Sequence, residues 1–256
     1  MKTVSDVCEQ IAALPEAFPF SLRYLNYNKI PDFLCKVLEI CDSIGVDPVD
    51  IVEKKMEINH LKYPVEECKK KADITKWTKL EQGKAVVIPK LVPKAAKRGC
   101  SAAVAFLRKL NHLNKRVKEF SEARDWLRGY TDSRLSLAII AEVGELAEVF
   151  QWAEPTAKTN KLDQDTLSDA CMEVADILLY VIHICRVVEM PVRHLWIHVG
   201  RISSPVSVYM DSTSIADPAE FENEFGHGLL PDQDLAPNDV FDVERWFVFL
   251  REPCEY

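Results

Sequence analysis

The sequence predicts an all-α protein. Glycine is scarce, 8 in 256 residues, too few for a fold rich in hairpins. Apolar residues recur every three or four positions, most clearly from Leu137 through Ile140 and Val143 to Leu146 and Phe150. Prolines sit at the edges of such runs and not within them.

In chain order, Val4 to Leu14 reads as a short helix, closed by Pro15 and Pro19. A clear helix starts at Pro31 and runs through Asp32-Phe33-Leu34 to Ile40-Cys41. A second follows Asp47, with Pro48 in its first turn. It continues through Val52 and Met56 towards Lys62, and Pro64 stops it. Residues 69–100 form a basic linker, from Lys69-Lys70-Lys71 to Lys97-Arg98, and Pro89 and Pro93 interrupt it. We read it as a solvated connector in preference to a nucleic-acid contact. Ser101 is a good helix cap. The helix it opens reaches about Leu127 and carries Val104, Leu107, Leu110, Leu113, Val117 and Phe120 as its apolar stripe. Two further helices hold residues 137–152 and 173–182. Residues 200–256 are acidic and rich in Pro, Asp and Gly, yet end in the apolar Trp246-Phe247-Val248-Phe249-Leu250. That patch is too apolar for wholly disordered chain. It docks on the bundle, binds a partner, or forms an unstable appendage.

The net charge of −8 argues against a general nucleic-acid binder. No apolar run is long enough to span a membrane, and no signal peptide is read. The eight cysteines form no Cys-x-x-Cys pair. Cys35, Cys41, Cys171 and Cys185 fall inside apolar runs and read as reduced core residues. A cytoplasmic setting is expected, with a nuclear or organellar interior as the other choices.

The chemistry lies in two acidic pairs. Glu142 and Glu145 are three apart and share one helix face, as are Glu173 and Asp176. If the two faces meet, four carboxylates make a cage suited to magnesium, a hard ion that prefers oxygen. The plain reading is that such acids solvate a surface. Their interleaving with apolar residues favours a partly buried face, where acids are costly without a cation.

At these residues a resemblance is evident. Glu142-Val143-Gly144-Glu145-Leu146-Ala147-Glu148 with Phe150-Gln151-Trp152, then Glu173, Asp176-Ile177-Leu178 and Tyr180, resemble the all-α nucleoside triphosphate pyrophosphatases. These are the MazG-like enzymes, and Arg124-Asp125-Trp126 also matches their dCTP pyrophosphatase branch. The resemblance covers roughly residues 105–195. It implies a four-helix bundle that cleaves a nucleoside triphosphate, dCTP or a modified dCTP, to monophosphate and pyrophosphate. It implies Mg2+ held by Glu142, Glu145, Glu173 and Asp176, and a base bound by Trp126 and Trp152.

The first segment repeats part of the second. Asp32-Phe33-Leu34 aligns with Asp176-Ile177-Leu178, and Ile40-Cys41 with Ile184-Cys185. Pro48 aligns with Pro191 after a one-residue shift. Lys29 stands in the place of Glu173, so the first copy lacks a complete cage and Asp32 is not read as a ligand. This divides the chain into a truncated MazG-like half-repeat at 1–68, the linker at 69–100, a pyrophosphatase domain at 101–199, and an extension at 200–256. The first copy keeps Lys55, Asn59, Lys62-Tyr63-Pro64, which resembles the tail helix of the dCTP pyrophosphatase branch. Lys55, Asn59 and Lys62 fall on one helical face. The resemblance implies that they approach phosphates, and the tail then completes the second copy's site, within the chain or across a dimer.

Trp152 lies seven residues past Glu145, about 10 Å along the axis, roughly the span of a nucleotide. It stacks on a base or is buried as core; spacing alone permits either. Antiparallel packing of the two acidic helices puts Tyr180 on the other side of the cage, nearer the phosphates. His183 reads as core or pocket wall, since magnesium prefers oxygen. Trp126 precedes a helix that Trp152 ends, so a simple hairpin keeps them apart. Sharing one base then requires a second subunit, a homodimer or homotetramer. Glu145 or Glu148 is the expected general base. The alternative to the enzyme is a catalytically weakened helical scaffold built from a damaged tandem repeat; a third reading is a MazG-like enzyme with another nucleotide preference. No membrane and no specific nucleic acid is expected as a partner.

Overall fold

A computed structural model of the chain describes residues 3–18, 29–70, 89–96, 101–151, 153, 162–190 and 195. Trp152 and residues 200–256 lie outside the described residues. Among the described residues every regular element is helical, as the composition predicts. The helices are α1 (Val4–Ala12), α2 (Leu14–Ala17), α3 (Ile30–Ile44), α4 (Pro48–Lys62), α5 (Val65–Lys70), α6 (Ala102–Ala123), α7 (Asp132–Gln151) and α8 (Gln164–Val187). A 3-10 turn, Leu127–Gly129, separates α6 from α7.

Short polar side chains open these helices. Thr3 and Asp6 form a reciprocal capping box on α1, with Thr3 N–H donating to Asp6 Oδ2 at 2.7 Å. Asp47, Ser101 and Asp163 accept from the first-turn amides of α4, α6 and α8. Pro15 does not simply close α1: it stands in the first turn of the short α2, where its missing N–H costs nothing.

Three helices stop in the same way. Residues in the left-handed region, Gly45 (φ 77), Asp125 (φ 60) and Glu189 (φ 52), turn the chain after α3, α6 and α8. The following amide then bonds back to a carbonyl of the last turn: Val46 to Cys41 at 3.0 Å, Trp126 to Ser121 at 3.0 Å, Met190 to Cys185 at 2.8 Å. α3, α6 and α8 thus end on the same turn, closed on the carbonyls of Cys41, Ser121 and Cys185. The turn after α6 also ends that helix at Ala123, short of the expected Leu127, and directs Trp126 back onto the bundle.

α8 is the axis of the packing, and α7, α4, α3 and α6 all lie against it. Its Ala170, Cys171, Val174, Ala175, Ile177 and Leu178 are fully buried. A helix apolar on most faces is one enclosed on most sides. Truncating such a residue, Leu178→Ala for example, costs about 2–5 kcal/mol. Against this background Glu173 and Asp176 stand out as acids on a core helix.

Part of the linker departs from the solvated reading. Leu91 is buried. Asp47 N–H donates to Lys94 O at 3.0 Å, Ala96 N–H to Gly45 O at 3.0 Å, and Lys54 Nζ to Val92 O at 2.5 Å. An isolated bridge joins Val46 and Ala95. Residues 89–96 therefore strap the start of α4, and their lysines pair with acids: Lys94 with Asp50 at 3.2 Å, and Lys90 with Asp165.

Candidate metal and phosphate site

α7 and α8 run antiparallel. Tyr130, just before α7, packs its ring 4.5 Å from His183 near the end of α8, while Glu142 meets Glu173 further back along α8. This pairing brings Glu142, Glu173 and Asp176 together. One carboxylate oxygen from each lies within 4.8 Å of the others. Among the described residues this is the group of acids close enough to hold a metal ion. Its donors are all hard oxygens of half-buried side chains on two packed helices, which suits magnesium or a similar ion.

The electrostatics show what bringing them together costs. Burial, then Asp176, Glu145 and Glu173, push the Glu142 carboxyl up to about 8. Glu142 is then the proton donor in its hydrogen bond to the Glu173 carboxylate. Glu173 is itself raised, first by burial, with Lys55 pulling the other way. Asp176 is raised by burial, although Lys55 and Lys62 oppose the shift. Three acids in this state favour any cation that enters.

Protein cations already approach from α4. Lys55 is buried, 4% exposed, and its Nζ lies 2.5 Å from Asp176 Oδ2. The Met172 sulfur sits 3.9 Å from the same nitrogen. Lys62 lies two turns on, 5.3 Å over the Tyr63 ring. Burial alone would lower its ammonium; Tyr63, Asp176 and Glu142 reverse this and raise it. Asn59 stands half-buried on the turn between them. The first segment's tail helix thus reaches the acids within one chain.

The other expected site residues divide. Glu145 is exposed and outside the close trio, but near enough that its charge raises Glu142, Glu173 and Asp176. Glu148 is exposed one turn beyond. The Tyr180 hydroxyl is held well above its usual range, first by burial and then by Asp176 and Glu142, so it stays a proton donor beside the acids. Trp126 packs edge-on against Tyr63 at 5.2 Å and Phe120 at 5.6 Å. His183 is core: Nε2 bonds the Ser121 hydroxyl at 3.2 Å, Arg186 faces Nδ1 at 3.1 Å, and burial drives it down to about 3. Asp32 and Lys29, which the sequence alignment sets against Asp176 and Glu173, line an open cleft of about 360 Å³ with Glu16, Lys36 and Glu39. Lys29 and Lys36 stand among its three acids, which are not, among the described residues, a group close enough to hold a metal ion.

Two contributors escape the sequence reading. Tyr63 bonds Lys62, packs on Trp126, and lies near Tyr130 and Tyr180. Arg124, 2% exposed, donates from Nε to Tyr63 O at 2.8 Å and from a guanidinium nitrogen to Phe120 O at 2.9 Å. It lies 3.5 Å over the Phe120 ring and pins the end of α4 to α6. Both residues belong to the strings that carry the family resemblance, and that was their signal.

With this geometry, comparison with known proteins is informative. The chain is similar to dCTP pyrophosphatase 1. Against that protein from Bos taurus it is 35% identical over 83 residues, 30% of this chain and 48% of the relative. Against the Homo sapiens protein it is 29% identical over 140 residues, 51% of this chain and 76% of the relative. Against the Rattus norvegicus protein it is 35% identical over 77 residues, 28% and 44%. The chain thus spans about half the length of two of these dCTP pyrophosphatase 1 relatives. No family model matches the chain. No solved structure matches it either.

Proposed function

We propose that the protein is a magnesium-dependent hydrolase that cleaves a deoxynucleoside triphosphate, dCTP or a modified dCTP, to monophosphate and pyrophosphate. The observation that carries this is the meeting of Glu142, Glu173 and Asp176 within 4.8 Å, with Lys55 and Lys62 of α4 beside them. The similarity to dCTP pyrophosphatase 1 supports the choice of nucleotide.

In this reading Glu142, Glu173 and Asp176 hold the ion, with Glu145 turning inward as a fourth ligand or staying free as base. Magnesium at such a site neutralises phosphate oxygens and lowers the pKa of water. Glu145 or Glu148 accepts the proton of the attacking water. Lys62 and Lys55, with Asn59 between them, receive the charge that develops on the departing pyrophosphate. Tyr180 donates from its protonated hydroxyl near the phosphates. Trp126 and Trp152 form the base-binding wall. Residues 1–68 act as a half-repeat whose tail helix completes the site of residues 101–199.

A homo-oligomer belongs to the same proposal. Leu137 (67% exposed) and Ile140 (49%) form an apolar stripe on the outer face of α7, turned away from Glu142.

The test is direct. The purified chain, incubated with dCTP and Mg2+, should yield dCMP and pyrophosphate, and a nucleotide panel ranks the bases. Glu173→Gln should lower turnover at least about a hundredfold, as loss of an ion ligand or its equivalent does. Absence of both the corresponding monophosphate and pyrophosphate with every nucleotide and Mg2+ would favour the second reading, a weakened scaffold. The Lys29 substitution in the first copy is the observation on that side.

A further inference from the structure

We propose that Lys55 is the acidic site's own counter-ion, and that an incoming divalent cation must displace it from Asp176, releasing the ammonium towards the phosphates. This deepens the hydrolase reading and rests on it.

Lys55 is among the few charged residues buried in the described structure. A buried ammonium is costly unless it is closely paired. Its partner is Asp176 Oδ2, at 2.5 Å. Asp176 is also a member of the trio that can ligate a metal. Glu173, the second member, lies within the field of the same ammonium. The Met172 thioether, 3.9 Å away, offers only a weak acceptor. One carboxylate therefore serves two cations. An ammonium in direct contact with Asp176 and a metal ion bound to the same group repel strongly at this range.

The element that carries Lys55 gives the displaced group somewhere to go. It is one turn from Asn59 and two from Lys62 on the same face of α4. Lys62 is exposed, so that face leads outwards from the acids. A long, flexible side chain can swing along it without moving the helix. The pairing thus links two events. While no metal is present, Lys55 keeps the acids from repelling one another. When metal enters, the same charge becomes available to a metal-bound triphosphate. Metal entry and phosphate grip are coupled through one side chain.

The experiment measures metal affinity without nucleotide. Mn2+ binding to the full chain is followed by electron paramagnetic resonance for wild type, Lys55→Met and Lys55→Arg. Lys55→Met keeps the length and packing and removes the competitor. It should bind Mn2+ roughly tenfold more tightly, or better. Lys55→Arg keeps the charge and should stay within about threefold of wild type. In parallel, Lys55→Met should raise KM for dCTP at saturating metal. Unchanged or weaker Mn2+ binding by a folded Lys55→Met overturns the inference while leaving dCTP hydrolysis by the wild type intact. A wild-type chain that binds no Mn2+ overturns both. If Lys55→Met does not fold, the lysine ε-methylene NMR signals of the wild type are titrated with Mg2+. One signal, absent from Lys55→Arg, should move saturably; no movement of any lysine overturns the proposal.

Discussion

Glu142 keeps its proton up to about pH 8 in the folded protein, because burial and its acidic neighbours oppose its charge. Its ordinary value is 4.5. Between those values the folded state binds the extra proton, so stability falls as pH rises from about 4.5 to about 8. Glu142→Gln removes the titrating group and keeps its shape. In chelator, it should melt higher than wild type at pH 8, by about 2–4 °C for each kcal/mol of repulsion relieved. At pH 5 the two should melt together. Thermal scans at the two pH values check this, and a constant offset would contradict it. The spacing of Glu142, Glu145, Glu173 and Asp176 was readable because i, i+3 pairs on apolar helices are a periodic signal. Tyr63 and Arg124 carry no periodicity: one follows a helix end and the other closes one, so only the resemblance touched them.

Among the elements, α4 shows best how the site is held. Its start is fixed by Asp47 and Pro48 and its end by Arg124 on the Tyr63 carbonyl. Between them, Asp50 gathers the strap. It receives Lys54 Nζ at 2.8 Å, Lys94 Nζ at 3.2 Å and Lys94 N–H at 2.7 Å. Burial would raise its carboxyl, but the Lys54 and Lys94 bonds outweigh this and hold it below the usual range. Asp50→Ala leaves these donors without their acceptor, and should cost about 1–3 kcal/mol. The depressed value means that this stability is present above the ordinary carboxylate range and is lost on acidification through the folded value. The gap between wild type and Asp50→Ala should therefore close in acid, as denaturant midpoints from pH 7 downwards would show. The cap at Ser101 and the start of α4 at Pro48 were legible from local chemistry. The left-handed turns at Asp125 and Glu189 were not, because glycine is the usual signal and neither is glycine. Lysine-rich composition describes solvation and does not show the strap, because buried Leu91 and the backbone bonds decide the docking.

At the scale of the molecule, no described helix is long and apolar enough to cross a membrane. Leu137 and Ile140 of α7 form an exposed apolar stripe, 67% and 49% exposed. If a second copy covers it, sedimentation should give a dimer or tetramer for the wild type. Leu137→Glu with Ile140→Glu should give a monomer, since charges on a buried stripe oppose association. A wild type that sediments as a monomer would remove the shared base pocket from the proposal.

The sequence by itself determined that the chain is helical, where α1, α3, α4 and α6 begin, and which acids share a face. These follow from local spacing, since cap chemistry and the 3.6-residue turn act over neighbouring positions. Only the tertiary structure decided that α4, more than a hundred residues away in the chain, sets Lys55 on Asp176, and that Glu145 stands outside the closest trio. Such contacts depend on how separate helices lie against α8, and no local pattern encodes that packing.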